Sequence, residues 1–169
     1  MAEVQRFEDR GDDLIVWVVE TDNPAFAGTI GMAASAAAMP EEALVAEGLK
    51  PRYRGIVYLC QKALGKMPVE VSAAIIDHEL GHLVLGHLSH EITPNANGVV
   101  IVEQFEVDAD AYAAAIHGRE VVSRMVRYAM LETSRKENQG RFSLTCAKKA
   151  MRSFHKDPVI AARLRALAA

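Results

Sequence analysis

His78-Glu79-Leu80-Gly81-His82 sets two imidazoles four residues apart with a carboxylate between them. On an α-helix, residues at i and i+4 project from one face a turn apart, so two ring nitrogens can converge on one divalent ion. Glu79 is rotated by about 100° from His78 at 3.6 residues per turn, which places it beside the ion's open position rather than among its ligands. That arrangement suits hydrolysis: zinc acidifies a water, and Glu79 takes the proton as general base. A catalytic zinc takes three protein ligands and leaves one position open, so a third His, Asp or Glu must come from downstream.

The nearest downstream histidines do not fit. A helix-breaking glycine three residues past the second histidine, and a third histidine three further on, would complete the H-E-x-x-H-x-x-G-x-x-H pattern. Those positions are Leu85 and Leu88 here. If the helix runs on through residue 88, His87 lies nine residues past His78 and about 180° round from it. His87 and His90 then read as a helix-end or surface pair.

A better third ligand lies in the alanine-rich run from Glu103 to Ile116, which has no Gly or Pro before Gly118 and reads as a second helix. Glu106, Asp110, Ala113 and His117 share one of its faces. Small residues let two helices approach closely, and buried acids then require a partner of opposite charge. A zinc ion held by the first helix supplies one. Glu106 is the expected third ligand, and Asp110 is expected behind a ligating imidazole, fixing its tautomer. Glu103, one turn earlier, and Asp108, turned away, are the alternates. For stabilising a developing oxyanion, Tyr112, His117, Arg124, Arg127 and His155 are all available, and the sequence does not choose among them.

Taken together, His78-Glu-Leu-Gly-His82 and Glu106-Val-Asp-Ala-Asp110 resemble the paired H-E-x-x-H and E-x-x-A-D motifs of the gluzincin metallopeptidases. The chain is most similar to the catalytic core of the HtpX and CAAX-prenyl-protease (Ste-type) family, over roughly residues 54–168. Ile75 to His82 with His87 looks like that family's metal helix, and Phe105 to Ala113 followed by Gly118 looks like its second helix. Ser153-Phe-His155-Lys-Asp-Pro158, then Arg163 and Leu164, echoes its C-terminal segment, with two extra residues before the proline. The ImmA/IrrE-type peptidases and the small minigluzincins are similar in the same motifs. The resemblance implies a zinc endopeptidase with His78, His82 and Glu106 as ligands and Glu79 as base. It also implies an edge strand, at Gly28–Gly31 or Gly55–Leu59, that pairs with an extended protein or peptide substrate. The alternative is a zinc-binding protein of ImmA/IrrE-like type that regulates without cleaving, or an enzyme held latent by its own segment.

The elements that must position these residues form an α+β, zincin-like plan in one domain spanning residues 1–169: a small N-terminal sheet packed on a mainly helical half, the metal helix at the cleft. Leu14–Val19 and Arg54–Cys60 read as strands. Residues 24–49 are ambiguous between turns, an edge strand and short helices. Pro68 and Glu70 open the metal helix, expected over 69–88. Further helices are expected over 99–117, 120–135, 141–153 and 158–167. At 169 residues and half apolar, the chain can bury a core without disulfides or other staples. A net charge of −3 gives no reason to expect nucleic acid or an anionic membrane as partner. Cys60 and Cys146 match no zinc-finger or redox spacing and are expected as buried thiols in a reducing, cytoplasmic compartment. Met1 to Asp13 is polar and acidic rather than a signal sequence. The apolar stretch Pro24–Pro40 is shorter than the roughly 20 residues a membrane span requires.

Overall fold

The structure is a computed structural model that describes residues 3–9, 15–21, 30–35, 53–88, 99–137 and 156–169. Four strands are followed by helices, an α+β arrangement: β1 (Glu3–Asp9), β2 (Ile15–Thr21), β3 (Gly31–Ser35), β4 (Tyr53–Cys60), α1 (Gln61–Leu64), α2 (Val69–Val84), α3 (Val99–His117), α4 (Arg119–Glu137) and α5 (Pro158–Ala168). His90, His155 and the helix expected over 141–153 lie outside the described residues.

The sheet has the order β1-β2-β4-β3. β2 and β4 are parallel, while β1 and β3 run antiparallel to their neighbours. Of the two stretches expected to offer an open edge, Gly55–Leu59 lies in β4, between β2 and β3, where both sides of the backbone are already paired. The outer strand of the described sheet on this side is β3. β1 has no counterpart in the sequence-based expectation. Its register shifts between Val4 and Arg6, so Val4 and Phe7 stand opposite Val19 and Trp17. A bulge of this kind puts an extra residue into one strand and breaks the period of two by which strands are recognised.

Helix α2 runs from sheet to helical layer as the centre of the molecule, touching β2, β3 and β4 on one side and α3 and α4 on the other. This explains why residues all round it are buried: Val71, Ala74, Ile75, Leu80 and Leu83, with Asp77 and His78. Leu80 is fully buried, a burial that contributes about 1.5–3 kcal/mol. Gly81 sets the spacing to α3, since a Cβ there would stand 3.2 Å from the Ala109 Cα and 3.2 Å from Tyr112 Cβ and Cδ1. The glycine and the facing alanine bring the two helix backbones together at the level of His78 and His82.

The start of α2 follows the sequence, with Pro68 preceding the first turn and Glu70 within it. Its end does not. The helix stops at Val84 rather than running to residue 88, because Leu85 caps it and Gly86 takes a left-handed φ of 73°. The Gly86 N–H donates to Leu83 O at 3.2 Å and the His87 N–H to His82 O at 3.0 Å. These paired bonds define the Schellman turn that glycine favours at this position. No helix among the described residues is long and apolar enough to cross a membrane.

Candidate metal centre

His78 and His82 leave α2 from one face, and α3 brings Glu106 to them. The two Nε2 atoms lie 3.2 Å apart. Glu106 Oε2 is 3.5 Å from His78 Nε2, and Glu106 Oε1 is 3.5 Å from His82 Nε2. One donor atom from each of the three residues falls within 4.8 Å of the others. Two ligands about 2.0–2.1 Å from a tetrahedral ion stand about 3.3 Å apart, close to these separations. The donor set is therefore one that could hold a metal ion, in both chemistry and spacing. The alternates sit elsewhere: Asp108 accepts from the exposed Gln104 amide at 2.7 Å, and Glu103 is not among the clustered donors.

Behind His78 stands a charged layer. Asp110 is 1% exposed, and its Oδ1 lies 2.9 Å from His78 Nδ1. At this separation the carboxylate pairs closely with the ring nitrogen, although the approach is off the line of a well-directed hydrogen bond. Arg163, from α5, grips Asp110 with both arms of its fork, Nε to Oδ2 at 2.7 Å and Nη2 to Oδ1 at 2.8 Å. Its remaining nitrogen, Nη1, lies 2.7 Å from Glu106 Oε2. One guanidinium thus holds both carboxylates that serve the imidazoles, a geometry that suits the planar fork of arginine and not lysine. The helix carrying it is anchored by Asp157, whose Oδ1 accepts from the Val159 and Ile160 N–H groups, with Pro158 at the first helical position. In the sequence Arg163 stands out only through the C-terminal likeness. Nothing local marks a residue fifty-three positions from Asp110 as its partner.

The charges shape the titration of the cluster. Burial works against a charged His78, but the Asp110 and Glu106 carboxylates outweigh it and hold its pKa up at about 9. Burial also works against the Glu106 carboxylate, yet His78, His82 and Arg163 pull it far below the usual carboxylate range. Asp110 is lowered for the same reason, by His78 and Arg163 against its burial. The two carboxylates thus favour a protonated His78 when no metal is bound, with its proton where a metal cation would sit.

Glu79 is the one carboxylic acid of the group displaced upward, by burial first, with Glu106 adding to it and both histidines opposing. Its side chain rests against β3. A Cβ added to Gly31 would meet Glu79 Cγ at 2.9 Å and Oε1 at 3.0 Å, and the Ala33 backbone supplies a hydrogen bond to the carboxyl. The outer strand and the acid between the histidines are thus in direct contact.

The remaining candidates are placed as follows. His117 Nε2 lies 2.6 Å from Asp77 Oδ2, tying the C-terminal end of α3 to α2 beside His78. Tyr112 packs against α2 at Gly81, on the rim of the core. Arg124 pairs with Glu70 at 3.1 Å, at the start of α2 and two turns before His78. Arg127 is exposed. His87 stands at the helix end, as one of the two expected placements had it, but it is not on the surface: it is 7% exposed, and its Nδ1 lies 3.0 Å from His82 Nδ1. The expectation assumed a helix continuing past residue 84, whereas the left-handed Gly86 folds the chain back onto His82. Compared with known proteins, the chain matches no protein-family model, no curated protein and no solved structure.

Proposed function

We propose that this chain is a zinc-dependent endopeptidase of gluzincin type with a zincin-like fold, acting on extended protein or peptide segments. The observation that carries the reading is the His78–His82–Glu106 triangle, with donor separations close to a tetrahedral edge and Glu79 between the two histidines. A zinc ion bound by these three residues would supply Lewis-acid activation of a water and of the scissile carbonyl. Glu79 takes the proton from the attacking water and delivers it to the leaving amine. Asp110 and Arg163 hold His78 and Glu106 against rotation, so the ligand geometry does not have to be assembled when metal arrives. β3, outermost in the described sheet and touching Glu79, offers backbone groups with which an extended substrate can pair, passing its peptide bonds over the acid.

One observation favours a second reading, in which the enzyme is latent. The Glu79 carboxyl is hydrogen-bonded by the Ala33 backbone and its side chain lies in the space left by the missing Cβ of Gly31, and a base so held must be released or rotated before it can serve a substrate.

Zinc content and cleavage of an unfolded protein, measured for wild type and for Glu79→Gln, test both readings. A hydrolase loses about 10²–10⁴-fold in rate with the amide variant while keeping its metal. Wild type that binds zinc and cleaves nothing in a broad peptide library contradicts the peptidase. Activity that emerges only after Gly31 or its strand is perturbed supports latency.

A further inference from the structure

The two imidazoles of the metal centre are supported differently, and the support of His82 is a third imidazole. We propose that His87 is a positioning residue for this centre: its Nδ1 accepts a hydrogen bond from His82 Nδ1–H and so selects the His82 tautomer whose Nε2 lone pair faces His78 and Glu106. The inference rests on the reading of His78, His82 and Glu106 as metal ligands.

The proton assignment follows from the geometry. Two nitrogens 3.0 Å apart must be one donor and one acceptor. His82 Nε2 points into the triangle, 3.2 Å from His78 Nε2 and 3.5 Å from Glu106 Oε1. A nitrogen that ligates a cation must present its lone pair, so the His82 proton belongs on Nδ1. His87 Nδ1 is then the acceptor, and the proton of the His87 ring is on Nε2.

The placement is dictated by the end of α2. In a Schellman turn the side chain two residues past the cap returns to the side chain three positions before it, a contact that is ordinarily apolar. With Leu85 as cap and Gly86 left-handed, those two residues are His87 and His82. Their rings meet edge to face, with centroids 5.1 Å apart and planes at 69°. The His87 ring is also stacked on Phe105 of α3, at 4.4 Å and 16°. The ring is thus fixed by its turn, by burial and by a neighbouring helix, and its acceptor nitrogen has little freedom to leave His82.

Tautomers can be read directly from two-bond ¹⁵N–¹H correlations of the imidazole rings, in metal-free and zinc-titrated protein, for wild type, His87→Phe and His87→Gln. Zinc affinity is measured alongside by competition with a chromophoric chelator, and folding by the thermal midpoint. In wild type, His82 should be protonated on Nδ1 and His87 on Nε2 before zinc is added. His87→Phe keeps an aromatic partner for Phe105 but offers no acceptor, and should weaken zinc binding about 10–100-fold with a mixed His82 tautomer. His87→Gln, whose amide oxygen can accept, should recover most of that loss. His82 protonated on Nε2 in metal-free wild type, or His87→Phe with wild-type tautomer and affinity, overturns the proposal. If wild type binds no zinc, the metal reading fails, and the metal-free tautomers of wild type and the variants still decide the role of His87. Should His87→Phe not fold, the wild-type and His87→Gln spectra make the same decision.

Discussion

His78 and His82 are chemically identical, share a helix face and stand a turn apart, yet what stands behind each ring differs in kind. Behind His78 is an ionic assembly drawn from two other helices: Asp110 on α3, clamped by Arg163 on α5, which also reaches Glu106. Behind His82 is a third imidazole from five residues along the chain, delivered by the turn that ends its own helix. The first support belongs to the tertiary fold and the second to a local turn. On the proposed metal reading, the difference teaches where stability and metal binding would be coupled: an attack on the His78 side should disturb both, whereas an attack on the His82 side should be felt mainly by the metal.

The most severe way to break this comparison is Arg163→Met. It leaves the buried Asp110 and the part-buried Glu106 carboxylates without the guanidinium that bridges them, and loss of one partner of a buried pair costs about 3–5 kcal/mol. Chemical denaturation near neutral pH should show that loss together with weakened zinc binding, and a variant with wild-type stability would mean that the assembly is no more than a surface pair.

The proton on His78 gives a second, graded test. Its folded-state pKa is raised from 6.5 to about 9. The stability it contributes to the metal-free protein is therefore fully present below about pH 6.5 and lost as the pH rises through about 9. Glu106 and Asp110 are lowered, so their contribution is present above the usual carboxylate range and lost as the pH falls below it. Metal-free protein should be most stable on the mildly acidic side of neutrality. Zinc must displace the His78 proton, so its apparent affinity should rise about tenfold per pH unit from 7 toward 9 and then level off. Titration calorimetry in buffers of different ionisation enthalpy counts the released proton, and a flat affinity over this range would contradict a charged His78.

Two glycine substitutions sharpen the contrast with smaller effects. Gly86→Ala forces a side chain into the left-handed region, costing about 1–2 kcal/mol, and loosens the turn that presents His87. Its loss of zinc affinity should not exceed that of His87→Phe. Gly81→Ala brings a methyl group against Ala109 and Tyr112. Overpacking of about 1–3 kcal/mol is offset by up to about 1 kcal/mol of helix propensity, leaving a net loss of about 1 kcal/mol in thermal unfolding.

What could be read in the sequence divides along the same line as the supports. The spacing of His78 and His82, the opening of α2 at Pro68 and the acid-and-alanine face of α3 are local patterns with a helical period, and the fold uses them. The left-handed Gly86 is also a local signal, but the apolar run from Leu83 to Leu88 masks it, and a helix continued through that run puts His87 on the wrong side. β1 was hidden because a bulge disrupts its alternation. Arg163 had no local signature at all, since its meaning arises only when α5 folds across α3. Local turns and periods are legible in one sequence; partners brought together across fifty residues are not.

The central claim, that His78, His82 and Glu106 form one metal centre, is tested most directly by zinc stoichiometry from elemental mass spectrometry on wild type and Glu106→Ala, with circular dichroism to verify folding. The account predicts one tightly held zinc per wild-type chain, removable by chelator and absent from the folded variant. No zinc in wild type, or undiminished zinc in folded Glu106→Ala, would contradict it.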